Sequence, residues 1–130
     1  MRKHAECGEA LLAADVIRAM REHAEASTPE ECVGALIGRG AEVQVALALR
    51  NSAPERSRSF ELTAAEYLRA EREAEQRGLD VLGFFHSHPD GSAVASVRDL
   101  EHARAFRVGV IVPMRDGSAQ APVVFHLRRE

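Results

Sequence analysis

The sequence predicts one domain of mixed α/β class, of the α+β type, in which a mostly antiparallel sheet is flanked by helices. Three observations lead to this prediction. Segments with helical periodicity alternate with apolar segments of strand length or period. Turn residues separate neighbouring apolar segments. A chain of 130 residues, 45% of them hydrophobic, suits one domain with a real core better than two, so we expect a single domain over residues 1–130.

The first third of the chain predicts an edge strand, a helix and a hairpin. Residues 10–12 form a short apolar run, and residues 13–26 carry their apolar side chains on one helical face. Pro29 ends that helix, because the residue before a proline is pushed out of the helical region. Residues 32–37 are a compact apolar run, followed by a Gly-Arg-Gly turn and by strict alternation over residues 43–49. These two segments predict paired strands.

A polar loop and a second helix follow the hairpin. Residues 51–59 contain a proline and three serines, and residues 60–62 are expected to form a short strand. Thr63 and Glu66 have the spacing of a capping box, in which the threonine caps the helix and the glutamate reaches back. Gly78 is placed to end that helix as its C′ residue.

The last part of the chain predicts three strands and one more helix. Residues 79–85 are apolar enough for a central strand, and residues 96–105 form a capped helix. Residues 108–112 and 123–127 supply two further strands, which a turn around Asp116 and its following glycine separates.

Charge and cysteine content exclude several functional classes. The formal net charge is −3, without the basic excess typical of nucleic-acid-binding proteins. The N-terminus has no long apolar stretch, so we expect neither a signal peptide nor a membrane span. Cys7 and Cys32 are too few for a disulfide framework, and a reducing cytoplasm is the simpler interpretation.

Two histidines close the predicted central strand. His86 and His88 would point to the same face of an extended chain, roughly 6.5–7 Å apart. Both imidazoles could therefore converge on one ion with Zn–N bonds of ~2.0–2.1 Å. Pro89 cannot continue the strand, which leaves the pair at a sheet edge beside a cleft. The alternative is that this is a hydrogen-bonded or exposed pair without a metal, as many such pairs are.

A third ligand could come from the next helix. Asp99 lies in its first turn, where its direction is defined, and a carboxylate suits Zn²⁺. The alternative is a capping box with Ser96 at the N-cap, and the two roles do not exclude each other. Three protein ligands with an open fourth position are typical of a catalytic zinc. Cys32 is the one plausible extra ligand, but its apolar surroundings favour a buried core position.

A hydrolytic zinc also needs a base for its water. Glu30 and Glu31 both lie just before the first long strand. Spacing alone does not choose between them, and either could be a solvated loop carboxylate.

These residues closely resemble the motif of the JAMM (MPN-plus) metalloprotease family, which has an upstream glutamate, His-Ser/Thr-His-Pro, six residues, serine, two residues and aspartate. The chain matches this motif without a gap at His86, Ser87, His88, Pro89, Ser96 and Asp99. The family places its glutamate three residues before a glycine, which selects Glu31, because Gly34 follows it at that distance. Val33 departs from the cysteine of many bacterial members, at a position that is not a ligand. The resemblance covers nearly the whole chain.

The resemblance implies a curved sheet flanked by helices, the cytidine-deaminase-like JAMM/MPN fold, and one Zn²⁺ per chain held by His86, His88 and Asp99. It further implies Glu31 as general base and Ser96 as hydrogen-bond donor to the tetrahedral oxyanion. The implied activity is that of a peptidase or isopeptidase acting after the C-terminal Gly-Gly of a ubiquitin-like or sulfur-carrier protein. We expect a monomer or homodimer without nucleic-acid or membrane partners.

Three alternatives remain open at this point. A non-catalytic MPN scaffold would generally lack the metal ligands, which this chain keeps. A zinc hydrolase with another peptide or a small-molecule substrate would use the same site. A structural zinc would make folding depend on the metal.

Overall fold

The computed structural model describes residues 11–128, which contain three helices and seven strands. Their bounds are β1 Leu11–Leu12, α1 Ala14–Ser27, β2 Val33–Arg39, β3 Glu42–Leu49, α2 Ala64–Gln76, β4 Asp80–His88, α3 Val97–Ala103, β5 Val108–Arg115, β6 Ser118–Ala119 and β7 Val123–Leu127. None of these helices is both long and apolar enough to cross a membrane. Cys7 and Ala10 lie outside the described residues.

The strands form one sheet in the order β1-β3-β2-β4-β5-β6, with β7 pairing β5 beside that path. The pairings β1–β3 and β4–β5 are parallel. The other four pairings within the described residues are antiparallel. The predicted α+β class with a mostly antiparallel sheet is confirmed, as are the edge position of β1 and the central position of β4.

The two faces of the sheet carry separate apolar cores. On one face, Val16 and Met20 of α1 pack with Leu36 and Phe85. On the other face, Ala70 of α2 and its neighbour one turn on pack with residues of β2 and β4, among them Phe84. Helices therefore cover both sides of β4, which is buried from its third residue to its last.

The register between β2 and β4 brings distant parts of the chain together. Val33 of β2 lies opposite His86 of the antiparallel strand β4. One step beyond this pair, the Ser87 amide donates to the Cys32 carbonyl at 3.2 Å. The residues just before β2 therefore meet the end of β4, where the two histidines are.

Three features of local structure differ from what the sequence predicted. Residues 60–62 are not a strand, because the Glu61 amide donates to the side chain of Asn51 instead of to a neighbouring strand. Thr63 caps α2 by accepting from the Glu66 amide, but the Glu66 carboxylate does not reach back. It accepts from the Arg50 amide at 2.6 Å instead.

The third difference is β6, which the sequence did not predict. Asp116 and Gly117 both have positive φ values, 51° and 80°. They form a two-residue turn that returns the chain onto β5, so the predicted turn is present and starts a hairpin.

Candidate functional site

His86 and His88 lie on the face of β4 that α2 covers, two residues apart as the strand pattern predicted. His86 is 2% exposed and His88 is 9% exposed. Their Nε2 atoms face each other at 3.1 Å. The parallel neighbour β5 places Ile111 and Pro113 beside them.

Helix α3 brings Asp99 to the same point. Its carboxylate oxygens lie 3.2 Å from His86 Nε2 and 3.1 Å from His88 Nε2. The predicted capping box is also present, because the Asp99 amide donates to Ser96 Oγ and the Ser96 amide donates to Asp99 Oδ2. The Asp99 carboxylate thus accepts the capping bond and contacts both histidines, and the capping bond fixes the direction in which the carboxylate points.

These three side chains form a donor set that fits a tetrahedral metal ion. Their candidate ligand atoms all lie within 4.8 Å of one another. Zn–N bonds of ~2.0–2.1 Å in tetrahedral geometry place neighbouring ligand atoms ~3.3 Å apart, close to the 3.1 Å between the two Nε2 atoms. The carboxylate of Asp99 approaches each of these atoms with a different oxygen, at 3.2 Å and 3.1 Å. Within residues 11–128, no second set of three such donors converges in this way.

The surroundings of His88 favour a metal-binding tautomer, and the two histidines differ in the direction of their pKa shifts. The Nδ1 atom of His88 lies 3.0 Å from the Ser92 carbonyl, so an Nδ1–H there leaves Nε2 as a lone-pair donor. Burial lowers the pKa of His86. Burial also acts to lower the pKa of His88, but the hydrogen bond and charge of Asp99 outweigh it and raise this pKa.

The pKa of Asp99 lies well below its ordinary range. Burial acts to raise it, but the hydrogen bonds to the two histidines and the Ser96 amide outweigh burial. Asp99 is therefore ionised at neutral pH, as a metal ligand must be.

Glu31 lines the same cleft as His88 and Asp99. It is 8% exposed, and burial raises the pKa of its carboxyl to about 7, a shift that the charge of His88 opposes and that of Asp99 adds to. Glu30 differs, because its half-exposed carboxylate pairs with Arg56 at 3.1 Å. The two glutamates that spacing could not separate thus occupy different environments, and a base for proton transfer near neutral pH suits Glu31.

Hydrogen bonds hold the backbone around Glu31 on both sides. The Glu31 amide donates to the Arg56 carbonyl at 2.6 Å, and the Glu31 carbonyl accepts from Asn51 Nδ2 at 3.0 Å. The next amide, that of Cys32, donates to Ser87 Oγ at 2.8 Å. Ser87 lies between the two histidines on β4, so its side chain points to the opposite face of the strand.

Cys32 is a core residue. It is 2% exposed and forms no disulfide with any residue of the described range 11–128. Burial raises the pKa of its thiol to about 11. The predicted buried position is confirmed, and the metal-competent group does not include it.

Three residues that sequence analysis did not single out support the site. The ring of Phe60 packs on His86 with centroids 4.8 Å apart. Tyr67 of α2 and His102 of α3 join the two helices through a 2.9 Å contact between Oη and Nε2. All of these contacts are tertiary, so no motif or spacing could have indicated them.

Comparison with known proteins identifies the family. The family described as prokaryotic homologs of the JAB domain matches residues 13–128. The chain is 35% identical over 97 residues to a probable TtuB-protein conjugate cleaving protease of Thermus thermophilus, covering 75% of this chain and 64% of that protein. It is 33% identical over 107 residues to a desampylase of Pyrococcus furiosus, covering 81% of this chain and 74% of that protein.

The fold of this chain is similar to those of solved structures. A protein from Salinibacter ruber is 34% identical, with a TM-score of 0.64, over 91% of this chain and 86% of that one. A JAB1/MPN domain protein from Archaeoglobus fulgidus has a TM-score of 0.57 at 19% identity, over 85% of this chain and 83% of that one. The chain therefore belongs to the JAMM/MPN family, as a compact member of its prokaryotic JAB-domain branch.

Proposed function

We propose that this protein is a zinc-dependent peptidase or isopeptidase that hydrolyses the bond after the C-terminal Gly-Gly of a ubiquitin-like or sulfur-carrier protein. The observation that carries the proposal is the convergence of His86, His88 and Asp99 beside the buried carboxyl of Glu31. The names of the relatives support the substrate class, since they refer to cleavage of ubiquitin-like protein conjugates. This chain spans 64% of the length of the Thermus relative, so activity and substrate are proposals for it.

The residues divide the chemistry between them. His86, His88 and Asp99 would hold the zinc ion, which when bound supplies a Lewis acid and lowers the pKa of a water molecule. Glu31 accepts the proton of the attacking water and passes it to the leaving amine as the C–N bond breaks. The hydroxyl of Ser96 donates a hydrogen bond to the oxygen of the tetrahedral intermediate. Its oxygen already accepts from the Asp99 amide, which leaves the hydroxyl hydrogen for the substrate.

The first experiment measures zinc content and hydrolysis together. The substrates are a ubiquitin-like protein joined through its terminal glycine to a lysine side chain and the same protein as a linear fusion. We expect about one zinc per chain in the wild type and in Glu31→Gln, and little in Asp99→Ala. We expect Glu31→Gln to lose about 10²- to 10⁴-fold in rate.

Glu30→Gln is the matched control, because it removes the neighbouring carboxylate from a half-exposed ion pair. It should keep both zinc and activity. A wild type that binds no zinc after reconstitution would support the scaffold alternative. A zinc-loaded wild type that cleaves neither conjugate would point to a hydrolase with another substrate.

A further inference from the structure

The side chain of Asn51 makes four hydrogen bonds at the start of the loop between β3 and α2. Its Nδ2 atom donates to the carbonyls of Glu31 and Ser59, both at 3.0 Å. Its Oδ1 atom accepts from the amides of Ala53 at 2.9 Å and Glu61 at 3.1 Å. Only this orientation of the Asn51 amide satisfies all four backbone groups. If Oδ1 and Nδ2 were exchanged, Nδ2 would face two N–H donors and Oδ1 would face two carbonyl acceptors.

Two of these bonds hold the backbone of the loop on either side of Phe60. Ser59 and Glu61, its two neighbours in sequence, are both bound by the Asn51 amide. The ring of Phe60 packs on His86 with centroids 4.8 Å apart. Asn51 therefore fixes the part of the loop that contacts the donor set.

The remaining bonds join this loop to Glu31. Asn51 binds the Glu31 carbonyl directly, and the loop carbonyl of Arg56 accepts the Glu31 amide at 2.6 Å. Glu31 precedes β2, so its backbone lies outside the ladder between β2 and β4 that fixes Val33 opposite His86. Strand pairing therefore does not hold the backbone of Glu31, and its hydrogen bonds to the loop do so instead.

We propose that Asn51 is a positioning residue, which holds the backbone of Glu31 at the geometry the reaction needs. This inference rests on the proposed function of Glu31 as the base. Asn51 contacts neither substrate nor metal in this account. The proposed ligands His86, His88 and Asp99 lie on β4 and α3, outside the loop. We therefore expect the Asn51 variants to keep their zinc.

The test compares Asn51→Asp with Ser52→Ala. Asn51→Asp keeps the shape and both accepted bonds, but it replaces Nδ2, the nitrogen that donates two bonds, with one oxygen that faces two carbonyls. We expect kcat to fall about 10- to 100-fold through displacement of Glu31, with one zinc per chain retained. Ser52→Ala removes the bond from Ser52 Oγ to the Glu61 carbonyl in the same loop without touching Glu31, and should keep the wild-type rate.

A double-mutant cycle separates positioning of Glu31 from a general structural role. In a Glu31→Gln background, Asn51→Asp should change the residual rate by less than about twofold, because a base that is absent cannot be displaced. Hydrogen exchange at the Glu31 amide supplies a readout that needs no substrate, and it should become faster in Asn51→Asp but not in Ser52→Ala. Asn51→Ala repeats both measurements without introducing a charge.

Several results would overturn the inference. They are a wild-type rate in Asn51→Asp, an undiminished rate loss in the Glu31→Gln background, or unchanged exchange at the Glu31 amide. General unfolding of both Asn51 variants would also overturn it, since Asn51 would then be a residue of the fold. If the wild type cleaves no conjugate while the exchange of the Glu31 amide responds as expected, the proposed function fails and the positioning by Asn51 stands.

Discussion

At the scale of single residues, Ser96 caps α3 in a position that is compatible with its proposed role as oxyanion donor. Its oxygen accepts the Asp99 amide at 3.0 Å and so caps α3. Its hydroxyl hydrogen is not used in that bond, and Ser96 lines the cleft together with Glu31 and His88. If Ser96 is the oxyanion donor, as proposed, the bond that holds it also orients Asp99, so the hydroxyl needs no rearrangement when charge develops on the substrate.

The two roles of Ser96 can be separated by replacing it with glycine. Glycine is tolerated at an N-cap at a cost of only a few tenths of a kcal/mol, whereas it has no hydroxyl to donate. We expect Ser96→Gly to keep zinc and nearly the wild-type melting temperature, and to lose about 10²- to 10³-fold in kcat. A melting curve, zinc content and steady-state kinetics check this. A rate loss that only accompanies loss of zinc would leave Ser96 with the capping role alone.

The sequence predicts which residues meet at the site better than it predicts which glutamate faces them. The alternation of side chains in a strand suffices to put His86 and His88 on one face. No local pattern distinguishes Glu30 from Glu31, because the difference arises where the start of β2 meets the end of β4. The family resemblance chose Glu31, and the structure gives the physical difference: one carboxyl is buried, and the other is half-exposed beside Arg56.

At the scale of elements, α3 is a short helix with little apolar anchorage. Only Asp99 and Ala103 of its seven residues are buried, whereas Val97 is 71% exposed and Leu100 is 43% exposed. The contact between Tyr67 and His102 ties α3 to α2. Asp99 joins α3 to the sheet through its contacts with the two histidines. The ring of His102 also packs on Phe84 of β4, with centroids 5.3 Å apart.

Removal of the metal should therefore loosen one segment and leave the fold intact. With a chelator present, we expect amides of residues 89–103 to exchange about tenfold or more faster, while those of β2, β4 and β5 stay protected by the two cores. Hydrogen exchange with and without zinc measures this difference. Cooperative unfolding of the whole chain on chelation would contradict it and would make the zinc structural.

Elements of regular period were predictable, whereas elements that depend on one side chain were not. Apolar periodicity predicted α1 and β3, capping signals predicted α2 and α3, and apolar runs predicted the other long strands, all with ends shifted by a few residues. Residues 60–62 have strand composition, but the Asn51 side chain takes the Glu61 amide that a strand would need. The two-residue strand β6 depends on the tight turn before it, which requires a positive φ at Asp116. Aspartate adopts a positive φ only in some contexts, so its presence does not predict the turn geometry.

At the scale of the whole molecule, stability and function draw on different residues. The two cores consist of apolar side chains from α1, α2 and the sheet. The buried polar and charged residues are instead those of the site and its support: Glu31, His86, Ser87, His88 and Asp99. Burying a carboxyl raises its free energy when it is ionised, so the proposed base should cost the protein stability.

The zinc-free protein allows this cost to be measured. The folded state raises the pKa of Glu31 from 4.5 to about 7, so the native state binds this proton more tightly than the unfolded chain does. The favourable contribution of the protonated carboxyl is complete below pH 4.5 and is lost as the pH rises through 7. The charges of His88 and Arg98 oppose the shift in pKa, and those of Asp90 and Asp99 add to it.

Glu31→Gln should therefore stabilise the chelator-treated protein at pH 8 and have much less effect at pH 5. Glutamine has the shape of the protonated acid and never ionises, so the gain at pH 8 should be on the order of 2 kcal/mol. Urea denaturation at both pH values measures the difference in the free energy of unfolding. Glu30→Gln changes the half-exposed neighbour, so its effect on the free energy of unfolding should differ little between pH 5 and pH 8. An equal effect of Glu31→Gln at pH 5 and pH 8 would mean that burial does not destabilise the ionised Glu31 carboxylate, and the argument for Glu31 as a base near neutral pH would lose its physical basis.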